Sequence, residues 1–339
     1  MTPGLQRDGT PNRASHAGAA TPAPQRAAQA RQAPDAELPA GQPPARPDAL
    51  CIGSVLWDII GRTTRPLEQG ADVPGRITRL PGGVALNIAM TLSRLGLSAA
   101  VLTVIGRDDE GDDLITAVAR MGIDCTHVYR AQDLPTDRYL AIEGAGNLVA
   151  AIADAHSLEA AGERILAPLE DGRLGSATEP WPGLVALDGN LTADLLARIA
   201  RSPLFRAADL RVAMAAPGKA DRLRPLLPVP NATIYLNRGE AGILCNDHFS
   251  TAGEAAARLI ALGARRVLVT DGARDCADGS REGILTATPP MVAVSRVTGA
   301  GDTFMAAHII AERRGDSRAA ALSAALDAAA DYISGEPAP

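Results

Sequence analysis

From Ala49 to Ile333 the chain alternates short apolar runs with longer stretches of helical spacing. Ala49–Leu56, Ala99–Ile105, Leu184–Leu187, Arg211–Ala215, Thr233–Leu236 and Arg266–Thr270 read as strands. Gly83–Leu95, Asp109–Met121, Thr192–Arg201, Ala252–Leu262, Gly299–Arg314 and Arg318–Ile333 read as helices, the first two stopped by Gly96 and Gly122. Repeated strand–helix units predict an α/β fold, a mostly parallel sheet with helices on both faces. The chain is 46% hydrophobic but only 3% aromatic, so Ala, Val, Leu and Ile must build the core. That suits a sheet covered by Ala-rich helices.

Two stretches break the rhythm. Residues 72–80 lie between the first strand and the first helix, and residues 137–153 form two runs around Gly144-Ala145-Gly146-Asn147, a hairpin signal. Three strands without intervening helices predict a small separate sheet. In an open α/β domain ligands bind beyond the carboxyl ends of the parallel strands. A small sheet there would act as a lid that excludes water.

Residues 1–47 are rich in Ala, Pro, Gln, Arg and Gly, with almost no large apolar residue. Such a composition cannot offset the entropy of ordering, so it predicts a disordered tail before a domain over 48–335. Its prolines oppose the amphipathic helix of a transit peptide. The net charge of −6 lacks the basic footprint of a nucleic-acid binder. No apolar run reaches the roughly 18–20 residues of a membrane span. Cys51, Cys125, Cys245 and Cys276 form no CxxC pair. They read as reduced thiols in a cytoplasmic protein.

The strongest local signal runs from Val297 to Phe304. It follows an expected strand, Met291–Val294, and opens a long helix. Gly299, Ala300 and Gly301 let backbone approach a ligand, and the first N–H groups of the helix favour an anion. Asp302, in the first turn, is placed to accept a proton from a hydroxyl attacking a phosphoryl group held there. A plain Gly turn followed by a helix-start Asp fits these residues as well.

This segment resembles the Gly-Ala-Gly-Asp signature of the ribokinase-like, PfkB-type carbohydrate kinases, and five further elements agree in order. Gly53 through Asp58 resembles the family's first strand, whose Asp holds sugar hydroxyls. Pro81 through Asn87 resembles the Gly-Gly-x-x-x-Asn substrate loop, with Gly82, Gly83 and Asn87 in place. Ile105 through Gly111 resembles the Gly-x-Asp-x-x-Gly turn. Asn237 through Glu240 resembles the Asn-x-x-Glu element near magnesium and the phosphates. Val269 through Ala273, with Thr270 and Gly272, resembles the nucleotide-side turn. The resemblance covers residues 50–333 and implies a ribokinase-like fold with a small β-sheet lid. It also implies an ATP- and Mg2+-dependent kinase with Asp302 as base and Thr298 on the nucleotide side.

The residues make chemical sense beside it. An acceptor carboxylate at Asp58 suits two vicinal hydroxyls, though a strand-end cap fits too. Gly82 and Gly83 let a sugar lie against backbone, with Asn87 offering donor and acceptor; a Gly N-cap with a buried Asn is the plainer reading. Asn237 and Glu240 fit a magnesium held through water or a simple capping pair. Asn190, after Leu184–Leu187, falls at the carboxyl edge, as a ligand contact or as part of a loop turn. Two departures stand out. Arg296 and Val297 replace the family's Asp-Thr, which puts potassium activation in doubt. Asp275 replaces the usual Gly after the nucleotide turn.

Within the family, Val-Thr-Gly-Ala-Gly-Asp and the hairpin from Arg138 to Asp154 are most like pseudouridine kinases. Tyr139 and Ile142 on that hairpin would cover a base. Ribokinase- or fructokinase-type sugar kinases and adenosine-type nucleoside kinases share the rest. A homodimer through the lid is compatible. A non-catalytic ribokinase-like binding protein is disfavoured by the intact Asp302. A dinucleotide oxidoreductase is disfavoured because no Gly-x-Gly-x-x-Gly follows the first strand.

Overall fold

Every residue of Ala49–Ile52, Ala99–Leu102 and Leu184–Asp188 is buried, the mark of strands covered on both faces. In the computed structural model the described residues are 46–68, 70–145, 147–215, 217–295 and 299–335. The expected disordered tail and the positions Arg296, Val297 and Thr298 lie outside them.

In chain order the first elements are β1 (Ala49–Ile52), β2 (Leu56–Thr63), β3 (Arg76–Gly82), α1 (Val84–Arg94), β4 (Ala99–Leu102), β5 (Val104–Gly106) and α2 (Asp109–Arg120). Then come β6 (Tyr129–Ala131), β7 (Arg138–Gly144), β8 (Asn147–Asp154), α3 (His156–Ala161), α4 (Ala167–Glu170), β9 (Leu184–Asp188), α5 (Ala193–Arg201) and β10 (Asp209–Ala213). The last part holds β11 (Ala232–Asn237), α6 (Arg238–Cys245), α7 (Ala252–Ala261), β12 (Arg266–Asp271), β13 (Arg274–Ser280), β14 (Gly283–Ala287), α8 (Ala300–Arg313) and α9 (Arg318–Ser334).

The main sheet runs β14-β13-β12-β11-β10-β9-β1-β4. It is parallel from β4 to β12, and β13 and β14 add antiparallel strands at one edge. Side chains alternate between two cores, as strand periodicity requires. Leu50 and Ile52 pack with α5, α6 and α7, while Ala49 and Cys51 pack with α1, α2, α8 and α9. This is the three-layer architecture expected.

The small sheet has four strands, β3-β2-β7-β8, rather than three. The apolar run from Ala49 is not one strand. The chain turns at Gly53, with φ 149°, and Leu56 starts β2 in the small sheet. Asp58 therefore sits within a small-sheet strand and not at the end of the first parallel one. The expected strand Met291–Val294 is also absent. Pro289 and Pro290 precede it, Met291 is 99% exposed, and the segment pairs with nothing in a ladder, as Pro-restricted backbone favours. The strand β13, between β12 and the edge strand β14, was hidden by its polar sequence. Its fully buried Asp278 is legible only through its partners, accepting from Arg266 at 2.7 Å and Arg318 at 3.1 Å.

Candidate active site

Three chain reversals meet at the carboxyl end of β1 and β9. Ser54, just after β1, donates from its backbone N–H to Asp188 Oδ2 at 2.8 Å, and its hydroxyl bonds the same oxygen. The Ser54 hydroxyl oxygen also accepts from the Val84 N–H at 2.9 Å, which holds the first turn of α1. Asp188, the last residue of β9, accepts from the Asn190 N–H at 2.7 Å and is fully buried. Burial pushes its carboxyl up, offset in part by those hydrogen bonds and by the charge of Lys219.

The glycines make this junction possible. A Cβ on Gly53 would overlap Asp188, one on Gly82 the Asp58 carboxylate, and one on Gly83 the Ser54 carbonyl. Gly82 and Gly83 thus make room first for the protein's own groups, where the sequence suggested a sugar. Gly83 also has φ 105°, a region that L side chains avoid. Gly83→Ala is expected to cost about 1–3 kcal/mol. The drop in Tm on thermal unfolding measures it.

Asp58 lies above this junction. Its carboxylate is half-buried and accepts no hydrogen bond among the described residues, and burial pushes it up to about 6. Tyr139 stands directly beside it in the register of β2 with β7. Partners in register share a face, and the next residue points the other way. Ile142, three positions on from Tyr139, therefore falls on the opposite face of the small sheet, away from Asp58. The expectation that Tyr139 and Ile142 cover one ligand together is corrected by that alternation.

Asp302 comes from the other side. Gly299 is the N-cap of α8 in the left-handed conformation, with φ 89°. A Cβ there would come within 2.6 Å of the Tyr332 hydroxyl. The N-cap glycine has no side chain, and among the described residues none caps α8, so its leading N–H groups suit an anion. Among the described residues nothing lies within 4 Å of a Cβ on Gly301, and Gly301 is exposed. Asp302 accepts from Asn87 Nδ2 at 3.2 Å, across the packed pair α1 and α8. Burial pushes its carboxyl up to about 7, against the lowering effect of Asn87 and with the repulsion of Asp188. Asp58, Asp188 and Asp302 are thus three carboxyls raised by burial around one junction, a pattern that marks candidate functional sites.

Further along the carboxyl edge, Asn237 ends β11 and is in register with Thr270 of β12. Gly272, with φ 61°, turns the chain out of that strand. Asn237 and Glu240 form a reciprocal capping box: Asn237 Oδ1 accepts from the Glu240 N–H at 2.9 Å, and Glu240 Oε2 from the Asn237 N–H at 2.7 Å. The plain capping reading is therefore present. The Asn237 side chain also hydrogen-bonds the Glu240 carboxylate, and Glu240 Oε1 is the oxygen outside the capping box. Among those residues no group of three or more His, Cys, Asp or Glu side chains comes together to hold a metal. One carboxylate oxygen outside the box fits an ion that keeps most of its water and takes its other ligands from phosphates, as Mg2+ does.

The Gly106–Gly111 turn proves structural. Asp108 accepts from the Gly111 N–H at 2.7 Å and from the Thr136 N–H at 2.8 Å, tying α2 to the root of β7. Asp188 falls at the carboxyl edge expected for the residues after Leu184–Leu187. Sequence reading missed Ser54 and Lys219 as parts of the junction, since their signal was only position, just past β1 and just past β10.

The profile of the pfkB family carbohydrate kinases matches residues 46–335. The chain belongs to the pfkB family of carbohydrate kinases. Its members are phosphotransferases that act on an alcohol group. The chain is 27% identical over 266 residues to the ribokinase of Mus musculus, covering 76% of this chain and 79% of that one. It is 35% identical over 148 residues to an uncharacterized sugar kinase, YeiI, of Escherichia coli, but spans only 39% of its length. It is 32% identical over 106 residues to the pseudouridine kinase of Escherichia coli, spanning 34% of it. Among solved structures, a carbohydrate kinase from Agrobacterium tumefaciens superposes with TM-score 0.69 at 27% identity, over 83% of this chain and 89% of that one. Arabidopsis thaliana ribokinase, complexed with ribose and ATP, shares the fold at TM-score 0.69 and 21% identity, over 85% and 92% of the two chains.

Proposed function

We propose that this pfkB-family chain transfers the γ-phosphate of ATP to the primary hydroxyl of a sugar or nucleoside. The observation that carries this is the placement of the Asp302 carboxylate in the first turn of α8, whose N-cap is a glycine and which no side chain caps among the described residues. The leading N–H groups there hold the transferring phosphoryl. The acceptor oxygen forms a bond to phosphorus, its proton passes to Asp302, and the bond from phosphorus to the β-phosphate oxygen breaks to release ADP. Asn87 keeps the Asp302 carboxylate turned toward the junction. Asp58 accepts from hydroxyls farther along the acceptor, Tyr139 covers its far end, and Gly82, Gly83 and Asn190 frame it. Asn237, Thr270 and Gly272 take the nucleotide side, and by resemblance so does Thr298. Glu240 and Asn237 would hold Mg2+ through water, and the ion would neutralise phosphate charge.

The acceptor we propose first is pseudouridine, phosphorylated at its 5′-hydroxyl. Tyr139 next to Asp58 supports this, since an aromatic ring suits a flat base better than a polar anomeric hydroxyl. The local similarity to pseudouridine kinase points the same way. A free-sugar acceptor is the second reading, favoured by similarity to ribokinase along most of its length. Competition at equal concentration is expected to give pseudouridine a higher kcat/KM than ribose or fructose; the reverse order replaces the nucleoside reading with the sugar one.

The face of the small sheet opposite Asp58 carries Ile77, Leu140, Ile142 and Ile152, which are 79%, 38%, 41% and 65% exposed. We propose that this apolar face pairs two copies of the chain. Among the described residues no helix is long and apolar enough to cross a membrane. The four cysteines are free, as suits the reducing cytoplasm where we place the protein.

A further inference from the structure

Of the 33 basic residues in the chain, 32 are arginine and one is lysine. That one, Lys219, does not stand on the arginine-rich outer surface. It lies in the 3-10 helical stretch Pro217–Leu226 that follows β10, and its side chain is three-quarters covered. Its Nζ donates to Asn190 Oδ1 at 2.8 Å and stands 4.0 Å from Glu159 of α3. Asn190 Nδ2 in turn faces the Ser54 hydroxyl at 3.4 Å, and that hydroxyl binds Asp188. The one lysine thus ends a hydrogen-bonded row that leads into the junction of β1, β9 and α1.

A structural tie alone does not account for it. Arg222, three residues on, already joins the same segments. It donates to Glu159 at 2.8 Å and to the Asn190 carbonyl at 2.9 Å. What Lys219 adds is a fixed orientation of one carboxamide. With Oδ1 held by an ammonium, the amide nitrogen must face Ser54 and Asp188, and its second N–H has no partner among the described residues. Without the ammonium, oxygen and nitrogen of the amide exchange places at little cost, and an acceptor oxygen would meet a lone pair in place of a donor.

We propose that Lys219 is a positioning residue for the phosphoryl acceptor: it locks the Asn190 carboxamide so that its N–H groups point into the acceptor side of the site. The inference rests on the kinase reading above and deepens it. It also gives a reason for a lysine at this position in a chain that otherwise uses arginine. A guanidinium is a wide planar fork, while an ammonium is a compact point charge that fits behind a single carbonyl oxygen. Arginine at this position satisfies the charge and fails the geometry.

Two measurements test it. Wild type, Lys219→Met and Lys219→Arg are assayed with Mg2+-ATP and whichever of pseudouridine, inosine, ribose and fructose the wild type turns over fastest. Both variants are expected to raise the acceptor KM about tenfold, the loss of roughly one net hydrogen bond, with the ATP KM and Tm unchanged. A wild-type acceptor KM in either variant overturns the proposal, as does an equal rise in both KM values. Separately, protein grown with 15N- and 13C-labelled lysine carries one lysine spin system. Saturating acceptor without nucleotide is expected to shift it; an unmoved signal from a protein shown by calorimetry to bind overturns the proposal. If the wild type forms no ADP with any of the four, the kinase reading fails. The lysine signal, titrated with the same compounds, still decides whether Lys219 senses the ligand.

Discussion

Asp302→Asn is expected to lower turnover about 10²–10⁴-fold, the contribution of a positioned general base. Asn keeps the size of the side chain and an oxygen to accept from Asn87, so Kd for acceptor and nucleotide should change little. The same carboxyl sets a pH dependence. Burial pushes it up to about 7, so a growing share of the base is protonated as pH falls through 7. The wild-type kcat/KM should fall on that acid side, and the residual activity of the variant should lack that limb. Stability carries the opposite sign. A carboxyl raised in the fold favours the folded state at low pH and loses that advantage as pH rises through about 7. The Asn variant should therefore match the wild type in Tm only below the ordinary carboxyl value of 3.8, and exceed it at pH 8. Near-wild-type turnover in the variant would remove Asp302 from the chemistry.

Asp58→Ala is expected to raise the acceptor KM about 10–150-fold, at roughly 1.5–3 kcal/mol for hydrogen bonds to a charged group. Its carboxylate has no donor within the described protein. Bound hydroxyls would be its first donors. Because the group is pushed up to about 6 by burial, acceptor affinity should also weaken as pH falls through 6, and this dependence should vanish in the Ala variant. The ATP KM should stay near its wild-type value, since Asn237 and Thr270 lie on strands of the main sheet and Gly272 in the turn after β12. Equal effects on both substrates would place Asp58 outside the acceptor site.

Much of the fold was legible because parallel strands buried on both faces read as plain apolar runs, as Leu184–Asp188 does. The misreadings have physical causes. Ala49–Leu56 looks continuous, yet Gly53 admits a backbone turn that sends Leu56 into another sheet. Met291–Val294 has the composition of a strand but follows two prolines and finds no partner strand. β13 carries a buried Asp278 whose neutralising arginines come from β12 and α9, a pairing invisible to local pattern. Motif and spacing pick out Asp58, Asn87 and Asp302 as candidates, and the fold brings Asn87 and Asp302 into hydrogen-bonding contact. Ser54 and Lys219 are not picked out that way, because their contacts depend on which chain reversals meet, and only the tertiary structure brings β1, β9 and the segment after β10 together. Ile142 was misplaced for a simpler reason: strand parity assigns it to the face opposite Tyr139.

The most direct test of the central claim is to follow the wild-type protein with Mg2+-ATP and each of pseudouridine, inosine, ribose and fructose by 31P NMR. Phosphoryl transfer to a primary hydroxyl predicts acceptor-dependent ADP and, in equal amount, a phosphomonoester signal split into a triplet by the two protons of a CH2 group. ADP formation that is indifferent to every acceptor, or a doublet from phosphate on a secondary carbon, would contradict it.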